Sequence, residues 1–260
     1  MLKGIWIISL EVILLNLEPF IFDCEVFAYD WLFVFKNKVT GEYTEIWNDN
    51  EAVEQFMTQE PLLAGFNNKH YDQFILKAVL SGFTPEEIKA VNDFIIVGGH
   101  EGWEYAPLRD CGIFFDQYDL MDDCQMGLSL KAIEAHLGMD IRETTVPFNI
   151  DRPLTENEKR EVEFYCRHDV DATDRLDDLR QGYLSSKLTL GREKGLYPAK
   201  ALYMTNAKLT AAYLDAEQKP HYDEREYQYP PKLLRQYIPQ EVFDFFEWLK
   251  DKSIPDEVVF

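Results

Sequence analysis

Basic residues are scarce in this chain: 26 lysines and arginines stand against 47 aspartates and glutamates, a formal net charge of -21 over 260 residues. A general binder of nucleic acid or of anionic membranes needs a basic footprint. Both classes are therefore disfavoured, and any contact with a polyanion has to be local or helped by metal ions. Cysteine is also sparse. The four present, Cys24, Cys111, Cys124 and Cys166, show neither CxxC spacing nor the density of a secreted disulfide scaffold. They read as reduced, mostly buried thiols of a cytoplasmic protein. No apolar run reaches the length of a membrane span. The nearest, Met1 to Leu17, is broken by Ser9 and Glu11 and lacks a small-residue cleavage site. It is expected to be an apolar extension, a strand or short helix, preceding a domain with no membrane partner. Repeats and low-complexity tracts are absent too, while 46% hydrophobic and 14% aromatic residues suffice for a sizeable globular core.

What is present is organised around Phe20 to Tyr29, FIFDCEVFAY. In a strand, residues two apart share a face, so Asp23 and Glu25 project together while Phe22, Cys24 and Val26 enter the opposite layer. Two adjacent carboxylates repel and shift each other's pKa. A divalent metal with oxygen ligands would relieve that repulsion; an edge strand with a solvated polar face would carry the same residues.

Short connections after this strand predict two further antiparallel strands, Trp31 to Phe35 and Glu42 to Trp47. Asn50 is a plausible N-cap for a helix through Met57, and Pro61 to Phe66 reads as a short buried strand. A helix follows from Tyr71 to Leu80. Thr84-Pro85-Glu86-Glu87 opens another, with cap, proline and acidic first turn. Residues 98 to 112 form a loop before a strand-like Ile113 to Leu120. Ser129 to Leu137 is a compact helix closed by Gly138, and the capping box Thr155-x-x-Glu158 starts a helix expected to reach about Gly182. Strands followed by alternating strand and helix predict an α/β domain over 18–182. The remainder, 183–260, reads as a mainly helical extension broken at Lys219-Pro220 and Pro230-Pro231.

Two more segments carry chemistry. GFNNKHYDQ, Gly65 to Gln73, places Asn67, Asn68 and Asp72 at a strand-to-helix junction, where open α/β sheets bind ligands; Asp72 would also suit a helix first turn with no other role. On the capped helix, Tyr165 and Asp169 lie four apart on one face, which a buried tyrosine bonded to an acid would equally explain. Asp171, Asp174, Asp177 and Asp178 read as a solvated acidic face.

Taken in order, Asp23-x-Glu25, Asn67 or Asn68 through Tyr71-Asp72, and Tyr165-x-x-x-Asp169 resemble the three motifs of the DEDD superfamily of exonucleases in its tyrosine-type branch. SLKAIEAHLG, Ser129 to Gly138, is similar to a helix that family often carries between its second and third motifs. FDCEVFAYDWLFVF and TNAKLTAAYL, Thr205 to Leu214, are similar to stretches of the N-terminal proofreading domain of phage-type DNA polymerases. No palm-domain carboxylate motif accompanies them, so a truncated or split polymerase is expected, with a polymerase region possible on another chain. The resemblance implies a ribonuclease H-like exonuclease domain, a mixed sheet flanked by helices. It implies two Mg2+ or Mn2+ ions held by Asp23, Glu25, Asp72 and Asp169, with Tyr165 orienting the attacking water. The substrate would be a single-stranded DNA 3′ end contacted by Asn67 or Asn68, with Phe27, Tyr29, Trp103 and Tyr105 as candidates for stacking. RNA trimming and a non-catalytic interaction module are the alternatives.

Overall fold

The computed structural model describes residues 19–124, 127–216 and 239–249. The apolar extension and the two proline breaks of the C-terminal region fall outside the described residues. Five strands form one mixed sheet: β1 (Phe20–Val26), β2 (Trp31–Asn37), β3 (Tyr43–Trp47), β4 (Leu63–Gly65) and β5 (Gln117–Asp119), in the order β3-β2-β1-β4-β5. Tight connections make β1, β2 and β3 antiparallel neighbours, whereas β4 joins β1, and β5 joins β4, in parallel. The central strand is thus the one carrying Asp23 and Glu25.

Helices α1 (Asn50–Met57), α2 (Asp72–Leu80), α3 (Pro85–Ile96) and the single turn α4 (Ala106–Arg109) follow, then α5 (Leu130–Leu137), α6 (Glu156–Glu193), α7 (Pro198–Tyr203) and α8 (Asn206–Tyr213). One face of the sheet packs Phe22, Cys24, Val26, Phe33 and Phe35 against Val53 and Phe56 of α1, the apolar side of α2, and Ile88 and Val91 of α3. The other packs Ile21, Leu32, Val34 and Tyr118 against Val162, Cys166, Val170 and Leu176 of α6. Strand alternation therefore sends Asp23 and Glu25 under α6, the side from which Tyr165 and Asp169 arrive.

Several boundaries differ from the sequence expectation for local physical reasons. The N-cap of α1 is Asp49, whose side chain accepts from the Ala52 N–H at 2.9 Å, because the Asn50 amide is engaged with the carbonyls of Val79 and Phe83. Strand β5 keeps only Gln117–Asp119, the length that β4 can pair. Helix α6 does not stop at Gly182. It continues to Glu193, with Leu184 and Leu188 buried and the Lys187 ammonium 2.5 Å from the Leu202 carbonyl. Its end is set by Gly195, φ +69°, after which the Leu196 N–H closes on the Gly191 carbonyl at 2.8 Å.

The acidic residues beyond Asp169 are not simply solvated. Lys38 bridges Asp174 at 2.6 Å, Asp178 at 2.8 Å and the fully buried Asp177 at 3.0 Å, and Lys36 joins Asp171 and Asp174 at 2.7 Å. Two lysines of β2 and its turn thereby fasten α6 across the sheet.

Residues up to Asp215 make one compact unit and 216–260 a second. Within the second, α9 (Gln240–Leu249) is described, with the Phe245 and Trp248 rings stacked at 5.8 Å. No helix among the described residues is long and apolar enough to cross a membrane.

Candidate functional site

The centre of the site is the middle of β1. Antiparallel pairing opposite Val34 and Leu32 fixes Asp23 and Glu25 on one face, and ligand atoms of Asp23, Glu25 and Cys166 all lie within 4.8 Å of one another. Asp72 reaches them from the first turn of α2, where the Cys24 thiol donates to its Oδ1 at 3.1 Å. Asp169, one turn beyond Tyr165 on α6, closes the group.

Electrostatics show how tightly these acids are gathered. Burial, then the charges of Asp72, Glu25 and Asp169, push Asp23 well above the ordinary carboxylate range. Burial, Asp169 and Asp72 do the same to Glu25, with Lys131 opposing. Asp72 is raised to about 6, chiefly by burial, although hydrogen bonds from Cys24 and with Asp23 hold it back. Desolvation leads in each case; like charge within the group adds to it at Asp23 and Glu25, whereas the like charge acting on Asp72 is that of Asp119.

The donor set fits hard divalent cations. Four converging carboxylates offer oxygen, and in the folded chain they repel one another, as expected of groups that gain from a cation between them. Cys166 is not a natural fifth ligand: burial and the surrounding acids push its thiol up, so it stays protonated, 3.8 Å from Asp23 Oδ2.

Tyr165 is half-buried and hydrogen-bonded to Asp169; desolvation and then the negative charges of Asp169 and Glu25 drive its phenol upward. It is a proton donor at any ordinary pH. The cation nearest this pair is Lys131 of α5, whose ammonium is ion-paired with Asp169, 3.5 Å from Glu134 and 4.9 Å above the Tyr165 ring. Lys131 carries no signal of its own in the sequence. Only its place in the helix between the second and third motifs could have drawn notice. His168 points elsewhere, its Nε2 being 3.7 Å from Glu134.

A cavity of about 440 Å³ opens beside the carboxylates, lined by Asp23, Asn67, Asp169 and the stretch Leu128 to Leu130. Asn67 takes the left-handed conformation, φ +64°, and its N–H donates to Asp119 Oδ1 at 2.8 Å; the Lys69 N–H donates to the other oxygen at 3.0 Å. Asp119, absent from the sequence-derived candidates, therefore holds the loop that places Asn67 at the cavity. Asn68 goes the other way. It is fully buried, its amide 2.8 Å from the Gln117 side chain and 3.2 Å from the carbonyls of Gly65 and Tyr118, so it braces β4 against β5 out of reach of a strand.

Phe27 is likewise inaccessible, fully buried with its ring stacked 5.2 Å from Phe148. Of the other stacking candidates, Tyr105 packs edge-on to Phe94 at 5.2 Å, Tyr29 stands 39% exposed, and Trp103 is 63% exposed. Comparison with known protein families, with curated proteins and with solved structures found no match.

Proposed function

We propose that this chain is a metal-dependent 3′-to-5′ exonuclease acting on single-stranded DNA, in a ribonuclease H-like domain of the kind used for proofreading by phage-type polymerases. One observation carries the reading. Asp23 and Glu25, Asp72, and Tyr165 with Asp169 come from three segments far apart in sequence, yet Asp23, Glu25 and Asp72 are raised acids, the charge of Asp169 adds to the shift of the first two, a protonated phenol stands beside them, and Asp23 and Asp169 border one cavity. The mixed sheet with helices on both faces, its central strand bearing the first acid pair, is the setting that reading requires.

Asp23, Glu25, Asp72 and Asp169 would hold two Mg2+ or Mn2+ ions, which supply Lewis-acid stabilisation of charge on the phosphate and on the leaving 3′ oxygen. The rest falls to the chain. Tyr165, kept protonated, offers a fixed O–H to orient the attacking water rather than to deprotonate it. Lys131 balances one carboxylate from above. Asn67, set by Asp119, borders the space in which the terminal nucleotide lies. Unpaired thiols, with none of the four cysteines in a disulfide, suit a cytoplasmic setting, where a polymerase region on another chain can supply the strand.

The test is digestion of 5′-labelled single-stranded DNA with Mn2+, beside RNA of the same sequence and beside Asp23→Ala. A ladder shortening from the 3′ end, lost in the variant and in chelator, is expected on DNA. Preference for RNA would move the substrate to the other nucleic acid; internal cuts, or cleavage unaffected by Asp23→Ala, would overturn the reading.

A further inference from the structure

On the far side of the Asn67 to Lys69 loop from the carboxylates lies a second, larger groove of about 670 Å³, which contains Lys69, Lys77, Lys200 and Lys208. It continues into a neighbouring cavity that shares Gln73, Lys77, Lys200 and Tyr203 and ends on Phe114. Helical spacing puts Gln73 and Lys77 on one face of α2, and Lys69 joins them from the turn that precedes it. The second wall is α7 and the turn into α8, which buries Ala199, Ala201 and Leu202 against the core and leaves Lys200 and Tyr203 facing out.

Charge here runs against that of the chain as a whole. Two acids line the groove, Asp122 and Glu101, and a third, Asp116, lines the adjoining cavity, where it is hydrogen-bonded to Tyr197. Asp122 is neutralised by the Lys69 ammonium at 2.5 Å, which also sits 4.3 Å over the Tyr203 ring, and Glu101 lies 3.5 Å from His70. Lys77, Lys200 and Lys208 have no carboxylate partner among the described residues. Lys77 is half-buried, its ammonium 5.3 Å over the Phe74 ring, and burial lowers its pKa, so an anion at the groove would favour its charged form. In a protein of net charge -21, a polyanion is repelled by most of the surface. This groove is where it would be attracted.

Its exposed apolar groups are aromatic, with Met204 half-buried beside them. Trp103 is 63% exposed, Phe114 90% and Tyr203 46%, the last with Lys69 over its ring, so Trp103 and Phe114 offer open ring faces along a lysine-lined channel. Lysine charges track a phosphate backbone and open aromatic faces stack on unpaired bases, whereas a duplex keeps its bases within the stack. An acidic peptide would use the lysines and leave the rings idle.

We propose that this groove binds single-stranded nucleic acid through its phosphates and bases, independently of the carboxylate site. Asn67 borders the carboxylate cavity while its loop neighbour Lys69 borders the groove, and Met121 and Asp122 divide the same way. A strand ending at the acids would cross this low wall and continue along the lysines. The binding itself requires neither metal nor turnover, so it stands apart from the hydrolytic reading.

Fluorescence anisotropy tests it, with the full chain in EDTA and a labelled oligothymidine about 12 nucleotides long. The triple substitution Lys77→Glu, Lys200→Glu, Lys208→Glu should weaken binding at least about 10-fold and flatten the logarithmic salt slope by about 2. Trp103→Ala alone should weaken it about 5-fold or more. Both variants should still hydrolyse a small chromogenic phosphodiester of thymidine at the parent rate, whereas Asp23→Ala should not. That arm separates the two claims: loss of ester hydrolysis in every protein would sink the exonuclease and leave groove binding untouched. Unchanged oligonucleotide affinity in the folded triple variant would overturn the groove. So would equal binding of polyglutamate with no effect of Trp103→Ala, which would make the groove a site for acidic peptides.

Discussion

Tyr165 tests whether the acid cluster is a hydrolytic centre or merely a place where cations collect. Its hydroxyl is hydrogen-bonded to Asp169, and burial first, then the acids nearby, hold the proton on, so the phenol can orient a water but cannot accept its proton. Tyr165→Phe deletes one oxygen and leaves the ring filling the same space beneath Lys131. Turnover on single-stranded DNA at saturating Mg2+ should fall about 10- to 1,000-fold, about 1.4 to 4 kcal/mol of barrier. Stability should change by no more than about 1.5 kcal/mol, the usual net worth of one hydrogen bond. Asp169→Ala should cost more turnover, since it removes a proposed metal ligand and one of the two carboxylates beside Lys131. Single-turnover digestion measures both. A parent rate in Tyr165→Phe beside a dead Asp169→Ala would make the tyrosine a packing residue. The pair Tyr165 and Asp169 was legible in the sequence because four-residue spacing fixes a shared helical face. Lys131 and Asp119 were not: one acts through an ion pair and the other through backbone N–H groups, both across 38 or more residues of chain, and no local pattern records such partners.

Among the elements, β1 was the most legible and α6 the most incompletely read. Alternation alone fixed which residues of β1 face which layer, because a one-residue slip would bury the acids among Phe33 and Phe35. The start of α6 was legible from Thr155 and Glu158, whose reciprocal bonds are local; its end was not, because burial of Leu184, Leu188 and Gly191 overrides the weak helix propensity of Gly182. The same contrast governs the docking of α6, which leans on Asp30. Buried just after β1, its carboxylate accepts the Leu154 N–H and the Asn48 amide at 2.7 Å and pairs with Lys159 at 2.9 Å. Burial by itself would raise Asp30, but these bonds outweigh it and set its pKa below the ordinary 3.8. Its ionised form therefore stabilises the fold above 3.8, and that contribution disappears as pH falls through the lower folded value. Asp30→Asn should cost about 2 to 4 kcal/mol near neutrality, read by urea unfolding, with the gap to the parent closing well below that pH. A gap that persists undiminished in strong acid would mean that the amide simply fits worse, and that charge is irrelevant to how α6 is held.

At the scale of the whole molecule, stability should depend on metal and on pH in opposite senses at Asp23, Glu25 and Asp72. Asp72 is raised to about 6 by burial first, and Asp23 and Glu25 are raised by burial and by each other's neighbours. An acid raised in the folded state binds protons there that the unfolded chain has released. Without metal, the cluster's contribution is therefore fully present below the ordinary 3.8 and is lost as pH rises through about 6 at Asp72. Divalent cations compete for the same oxygens and bind only where the acids converge, so the metal-induced gain should grow over the window in which the protonic contribution fades. Scanning calorimetry at about pH 5 and about pH 8, with and without millimolar Mn2+, should show the larger shift at the higher pH, reaching about 2 to 3 kcal/mol if Mn2+ exceeds its dissociation constant about 100-fold. Asp23→Ala should abolish most of that shift, and because it also removes one repelling charge, the metal-free variant should melt no lower than the parent near pH 8 unless the cavity it leaves dominates. Asp72→Asn separates these effects, since it keeps the volume while removing the charge: it should flatten the metal-free pH dependence and shrink the Mn2+ shift together. An undiminished Mn2+ shift in both variants would place the ions elsewhere on this acidic surface. The four converging carboxylates would then be a strained core rather than a metal centre, and the case for hydrolysis would fall with them.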